Sequence, residues 1–163
     1  MTVTDTAPPR PIPGPVSVEH LAITVPDLDQ ACSFFVRALG ARELRRNAFG
    51  ADDGTDMATS FGSHPATRAR LAVLDLHGTR LEVFEFDAPD QRTEPARNVD
   101  VGGHHIGLRV ADLDAAVEAL TTVPGLQVLG PPSPMTTTTG ASRRWVYVLT
   151  PWGLQLELAE EAP

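Results

Sequence analysis

The chain lacks the features that mark several large classes of protein. Its single cysteine, Cys32, cannot form a disulfide within the chain, and we expect its side chain to be buried. No apolar run approaches the ~20 residues that a membrane-spanning helix needs. Basic residues are outnumbered, 13 to 21, and the net charge of −8 argues against nucleic acid or an anionic membrane as partner. The N-terminus has no signal-peptide pattern, so we expect a cytoplasmic protein. We expect its partner to be a small-molecule substrate.

The composition is that of an ordinary globular protein, with 42% hydrophobic and 21% charged residues. A length of 163 residues is enough for one domain or for two small modules that share a core. Five prolines fall within residues 1–15, and because proline fixes φ and removes a donor, we predict an extended or disordered tail there.

What the chain does have is an internal repeat. Residues 20–29 read HLAITVPDLD, and residues 105–114 read HIGLRVADLD. A second echo follows, GTRLEVFE at 78–85 against GLQLELAE at 153–160. Each half therefore begins with a strand that carries one histidine and ends with a strand that carries one glutamate.

The repeat predicts two similar modules, 16–87 and 102–161, joined by a linker at 88–101 and sharing one domain. Each module is predicted to contain a strand, a helix and up to three further strands. Asp27 and Asp112 are placed to cap the two helices, which we expect to end near Leu39 and Thr122.

Two segments interrupt this plan. Residues 49–66 are rich in Gly, Asp, Ser and Thr and predict a long loop with at most one strand inside it. Residues 131–142 contain three prolines and four consecutive threonines, which predict a flexible loop and a candidate lid.

Strand alternation indicates the direction of the side chains. In all four repeat strands, the apolar residues alternate with the histidine or glutamate, so these polar side chains lie on the face away from the helices. A carboxylate there would cost several kcal/mol to desolvate unless a cation compensates it. We therefore predict one divalent ion (Ni, Co, Zn, Fe or Mn) held by four ligands: His20, Glu82, His105 and Glu157.

Other residues near these strands are weaker candidates. Arg109 and Thr24 occupy equivalent positions on the same face, and Arg109 could hold a substrate carboxylate or phosphate or form a structural ion pair. Phe84 could line the substrate pocket or pack in the core. Glu85 and Glu160 lie on the opposite face, and we expect them to be solvated.

These residues resemble the vicinal oxygen chelate superfamily, which includes glyoxalase I, methylmalonyl-CoA epimerase, extradiol dioxygenases and bleomycin-binding proteins. The resemblance covers residues 16–161 and rests on the two histidine motifs, on Leu81-Glu82, and on PWGLQLE at 151–157. It implies an α+β fold in which tandem βαβββ modules form a cupped mixed sheet around the metal site, and it implies a homodimer. The ligand set is most similar to those of glyoxalase I and of the epimerases, which commonly have Gln in place of Glu82.

The leading prediction is an isomerase or epimerase that acts next to a carbonyl, on a hydroxyketone or an acyl-CoA. The metal would stabilise a bound enediolate while Glu157 or Glu82 removes and returns the proton. A glyoxalase-type lyase, an Fe(II) extradiol dioxygenase and an antibiotic-binding protein are the alternatives. The dioxygenases use three ligands, matching His20, His105 and Glu157. The sequence selects neither the metal nor the substrate.

Overall fold

The structure is a computed structural model that describes residues 13–136 and 142–161. Residues 1–12 of the predicted tail and 137–141 of the predicted lid loop lie outside the described residues. The first module consists of β1 (Leu21–Thr24), α1 (Leu28–Arg37), β2 (Arg42–Phe49), a 3₁₀ turn (Ala51–Asp53), α2 (Met57–Phe61), β3 (Arg68–Leu76) and β4 (Thr79–Asp87). The second consists of β5 (His105–Arg109), α3 (Leu113–Thr121), β6 (Gln127–Val128), β7 (Ser133–Thr136), β8 (Ser142–Leu149) and β9 (Gln155–Glu161).

The strands confirm the α+β class and the βαβββ plan, to which the second module adds one strand, β7, beyond the three expected after its helix. The first module forms a mixed sheet in the order β1-β4-β3-β2, and the second forms one in the order β5-β9-β8-β6, with β7 also beside β8. In each module the first strand runs parallel to the last. Within the described residues these are two separate sheets and not one cupped sheet, because β1 and β5 are both edge strands.

Both predicted helix caps are present. The Asp27 side chain accepts a hydrogen bond from the amide of Gln30 at 2.9 Å, and Asp112 accepts one from the amide of Ala115 at 2.9 Å. Each such cap stabilises a helix by about 1 kcal/mol. Helix α1 ends at Arg37, two residues before the predicted end.

The core lies between the helices and one face of each sheet. Phe35 and Ala31 of α1 and Val83 of β4 are fully buried, and burial of each large side chain contributes about 1.5–3 kcal/mol. Trp152 of the second module packs edge-on against Phe34 of α1, with ring centroids 5.3 Å apart. One hydrophobic core therefore includes residues of both modules.

Cys32 is buried on α1, as expected. Burial raises the pKa of its thiol to about 11, so the side chain is a neutral thiol at physiological pH and fills the core. In the described part of the chain, no helix combines the length and the apolar character needed to cross a bilayer.

The prediction for residues 49–66 was wrong in one respect, because the segment contains helical turns and no strand within 50–66. Asp56 begins α2, where its side chain accepts hydrogen bonds from the amides of Ala58 and Thr59. Met57 is 1% exposed and anchors this short helix to the sheet. A helix of five residues is too short to give a periodic signal in the sequence.

The described part of the predicted loop 131–142 also differs from expectation. Residues Ser133–Thr136 form β7, which pairs antiparallel with β8, and Pro134 lies opposite Arg144. Proline is tolerated because β7 is an edge strand, where a missing amide donor leaves no ladder bond broken.

The expectation that Glu85 and Glu160 are solvated was wrong. Glu85 accepts a hydrogen bond from the first amide of α1, that of Leu28, at 2.7 Å. Glu160 accepts one from the first amide of α3, that of Leu113, at 3.3 Å. Each carboxylate therefore satisfies an otherwise unpaired amide at the positive end of a helix dipole, which alternation within a strand cannot reveal.

Candidate functional site

The four predicted metal ligands lie in two equivalent pairs. The Nε2 atom of His20 is 3.6 Å from Oε2 of Glu82, and Nε2 of His105 is 3.4 Å from Oε2 of Glu157. The side chains of Glu82 and Glu157 are 16% and 15% exposed, and both histidines are more accessible. The two modules thus build nearly the same partly buried imidazole–carboxylate pair.

Strand register explains each pair. Glu82 lies on β4 opposite Ala22 of β1, and His20 is two residues before Ala22 on the same face. In the second module, Glu157 lies on β9 opposite Gly107, two residues after His105. The flanking residues Leu81 and Val83 point to the core, which leaves Glu82 on the open face, as alternation predicted.

Each imidazole also has a hydrogen-bond partner on Nδ1, the ring nitrogen that does not face the glutamate of its pair. Nδ1 of His105 donates a hydrogen bond to Oδ1 of Asn98 at 3.0 Å, and Nδ1 of His20 donates one to the Glu19 carboxylate. Metal-binding histidines commonly have such a partner on the nitrogen that does not bind the ion. Nε2, the other ring nitrogen, faces the carboxylate of the pair and is the atom that a neutral imidazole would offer to a metal ion.

The separation of 3.4 Å in the second pair fits two ligands of one ion, and that of 3.6 Å in the first pair is slightly longer. Metal–ligand distances near 2.1 Å place neighbouring ligand atoms about 3.0–3.4 Å apart. The two pairs do not come together in one chain, however. Among the described residues, no group of three or more His, Cys, Asp or Glu is close enough to hold one ion. Each module therefore presents half of the predicted ligand set, and the metal site stays a prediction.

Sequence reasoning missed one residue at this site, Arg143 on β8. Its Nη2 donates a hydrogen bond to Oε1 of Glu157 at 2.7 Å. The signal was available, because Arg143, Trp145 and Tyr147 alternate with residues of the opposite face, including the buried Val146. Tyr147 lies directly opposite Glu157 in the hairpin.

Aromatic rings share the strand face of the carboxylate in each module. Phe84 stacks on Phe86 with centroids 5.1 Å apart, and Phe61 of α2 lies against both. In the second module, Tyr147 makes an edge contact with His105 at 5.3 Å. Phe84 is half-buried, so it both packs and borders the open face.

The other two predicted substrate contacts line separate cavities. Arg109 lies on the same face as Glu157 and borders a cavity of about 180 Å³ together with Arg143, Gly107 and Ala159. Thr24 is exposed and borders a cavity of about 130 Å³ that also contacts His104. The structure therefore brings Arg109 close to the second pair and leaves Thr24 apart from it, although the two positions are equivalent in the repeat.

The family-model match covers most of the repeat: a model described as Glyoxalase/Bleomycin resistance protein/Dioxygenase superfamily matches residues 19–134. The chain is 49% identical over 150 residues to a 2-epi-5-epi-valiolone epimerase from an Actinomyces species, which covers 91% of this chain and 81% of the relative.

Two solved structures have the same fold. A glyoxalase family protein from Bacillus cereus superposes with a TM-score of 0.73 at 23% identity, covering 92% of this chain and 97% of its own. A glyoxalase family protein from Enterococcus faecalis superposes with a TM-score of 0.61 at 22% identity, covering 88% of this chain and 97% of its own. Together with the paired motifs and the family-model match, these findings establish that the chain belongs to the glyoxalase/bleomycin resistance protein/dioxygenase superfamily, also called the vicinal oxygen chelate superfamily.

Proposed function

We propose that this protein is a divalent-metal-dependent epimerase that inverts a stereocentre next to the carbonyl of a hydroxyketone. The observation that carries the proposal is the 49% identity to an epimerase whose name describes a ketone with epimeric centres at positions 2 and 5. The two carboxylates at equivalent places support it, because inversion needs an acid–base group for each face of the reacting carbon.

The residues present fit a metal ion in two halves, with His20 and Glu82 in one and His105 and Glu157 in the other. Imidazole with carboxylate suits Ni, Co, Zn, Fe or Mn. When bound, the ion supplies Lewis acidity that makes the hydrogen next to the substrate carbonyl more acidic.

The carboxylates carry the proton. Glu82 or Glu157, released from the ion, accepts the proton from the carbon next to the carbonyl, and the electron pair of the broken C–H bond forms the double bond of an enediolate. The other glutamate, also released and protonated at the start, returns a proton to the opposite face of that carbon. Proton number is conserved and the configuration is inverted.

A homodimer would complete the ligand set. We propose that the first module of one copy faces the second module of its partner, so that the two half-sets meet. Strand β1, which directly follows His20, and strand β5, which begins at His105, are both sheet edges, and exposed edges favour pairing with another chain. A largely apolar groove of about 540 Å³ runs beside these strands and is lined by Leu21, Ile106 and Leu108, among others.

The substrate would lie between the aromatic walls. Phe84 would contact it from the first module, and Arg109 would bind one of its oxygen atoms from the second, since Arg109 borders the cavity next to Glu157. Thr24 would contact the substrate only if that part of β1 faces the completed site.

The test is hydrogen exchange in D2O. The protein, loaded with each metal in turn, is incubated with cyclic and open-chain hydroxyketones, and the proton next to the carbonyl is followed by NMR. We expect exchange with inversion, lost in Glu157→Gln and kept in Glu160→Gln, which removes the same charge on the opposite face. The absence of exchange across the panel would contradict the proposal; oxygen uptake would indicate a dioxygenase, and dependence on a thiol would indicate a lyase.

A further inference from the structure

One difference between the two half-sites is an arginine that bonds the carboxylate of the second module. Arg70 and Arg144 are equivalent, because each lies opposite the helix-capping glutamate of its module, Glu85 or Glu160. The residue before each is therefore also equivalent, and it is Ala69 in the first module and Arg143 in the second. Only the second module can place a guanidinium beside its candidate metal ligand in this way.

The contacts of Glu157 divide its two oxygen atoms between two partners. Oε1 accepts the hydrogen bond from Nη2 of Arg143 at 2.7 Å, and Oε2 lies 3.4 Å from Nε2 of His105. Both side chains are mostly shielded from water, Arg143 being 27% exposed and Glu157 15%. A charge-assisted hydrogen bond in such a place is strong enough to fix the carboxylate orientation.

Glu82 has no such restraint. Within the described residues, His20 is the only basic side chain within ion-pair distance of Glu82, and it faces one oxygen. The second oxygen of Glu82 is therefore available, whereas that of Glu157 is already used.

The guanidinium of Arg143 is only partly satisfied by hydrogen bonds. Its Nε is buried and has no hydrogen-bond partner among the described residues. A buried donor without a partner lowers stability, and such groups in native proteins commonly mark a functional constraint.

We propose that Arg143 is a positioning residue that makes Glu157 a one-oxygen ligand and thereby keeps a coordination position open for substrate. This inference rests on the proposed metal-dependent function. Carboxylates bind cations through one oxygen or through both. With Oε1 bonded to the guanidinium, only Oε2 remains for the ion. Glu157 without Arg143 would chelate through both oxygens and occupy the place that a substrate oxygen needs.

The experiment compares Arg143→Ala, Arg143→Lys and Arg144→Ala in the full-length protein titrated with Co²⁺, whose visible absorption weakens as the coordination number rises. Arg144 is the matched control, because it is a neighbouring arginine whose guanidinium bonds Asp114 at 2.7 Å on the opposite face. In Arg143→Ala we expect weaker absorption per bound ion, no loss of Co²⁺ affinity and a kcat/KM about 10-fold or more lower. Arg143→Lys keeps part of the wild-type spectrum, and Arg144→Ala keeps all of it.

The outcomes separate this inference from the proposed function. If wild-type protein binds Co²⁺ and Arg143→Ala gives the same spectrum, or if Arg144→Ala changes it equally, Arg143 does not control the coordination and the inference is overturned alone. A higher KM with an unchanged spectrum also overturns it, because that result assigns Arg143 to substrate binding. If Co²⁺ titrates Glu82→Ala and Glu157→Ala as it does wild type, the ion does not bind at these pairs, and both proposals fail.

Discussion

At the scale of single residues, the repeat contains two glutamates per module with opposite tasks. Glu82 and Glu157 face the open side next to a histidine, whereas Glu85 and Glu160 cap the helices three residues later. An odd spacing in a strand reverses the face, so alternation separated the two classes correctly. It could not show that a helix N-terminus lies above the second class, since that contact joins residues 57 positions apart in the first module.

The ion pairs of Asp29, in the first turn of α1, predict a dependence of stability on pH. Hydrogen bonds from Arg70 and then Arg46 hold the pKa of Asp29 below its ordinary value. A carboxylate with a lowered folded pKa stabilises the fold above its unfolded pKa of about 3.9, and that contribution is lost as the pH falls through the folded pKa. Asp29→Asn should therefore have a lower Tm than wild type at pH 7, and the two curves should converge below about pH 4.

Circular dichroism melts between pH 3 and pH 7 measure this difference. The control is Asp90→Asn, an exposed linker residue, which should melt like wild type throughout. A constant gap between Asp29→Asn and wild type down to pH 3 would show that the aspartate does not act through its charge.

At the scale of elements, the strands and the two long helices could be predicted because their signals are local. Period-two alternation and the caps Asp27 and Asp112 lie within a few residues of the elements that they define. His77 and Gly78 both have positive φ, as a tight hairpin requires. Helix α2 and strand β7 could not be predicted, because each is short and is held in place by distant residues of its sheet.

The buried side chain of Met57 on α2 predicts a measurable effect of its truncation on stability. Met57 is 1% exposed, and truncation of a buried methionine leaves a cavity, so Met57→Ala should lower the free energy of unfolding by about 2–5 kcal/mol. Ser60→Ala, on the exposed side of the same helix, should change it by less than about 0.5 kcal/mol. Urea denaturation measures both. Equal, small effects would mean that α2 is not part of the cooperative fold.

At the scale of the whole molecule, the sequence predicted one set of four ligands, whereas the structure holds the four residues as two separate pairs. A repeat shows which residues each module contains. The placement of one module relative to the other depends on packing in the shared core, including the contact of Trp152 with Phe34, and the repeat does not encode that packing. Among the described residues, one chain holds two half-sites, each with its histidine at a sheet edge, and a shared site between two copies would unite them.

The proposed shared site predicts that two inactive variants restore activity when they are combined. In a heterodimer of Glu82→Ala and Glu157→Ala, one site carries both substitutions and the other carries neither. Random pairing makes half the dimers heterodimers with one intact site of two, so the co-expressed mixture should recover about one quarter of wild-type exchange activity. The matched control combines Glu82→Ala with His20→Ala, which alter the same module and leave every site damaged. If the first mixture is as inactive as the control, each site is built within a single chain and the proposed dimer is wrong.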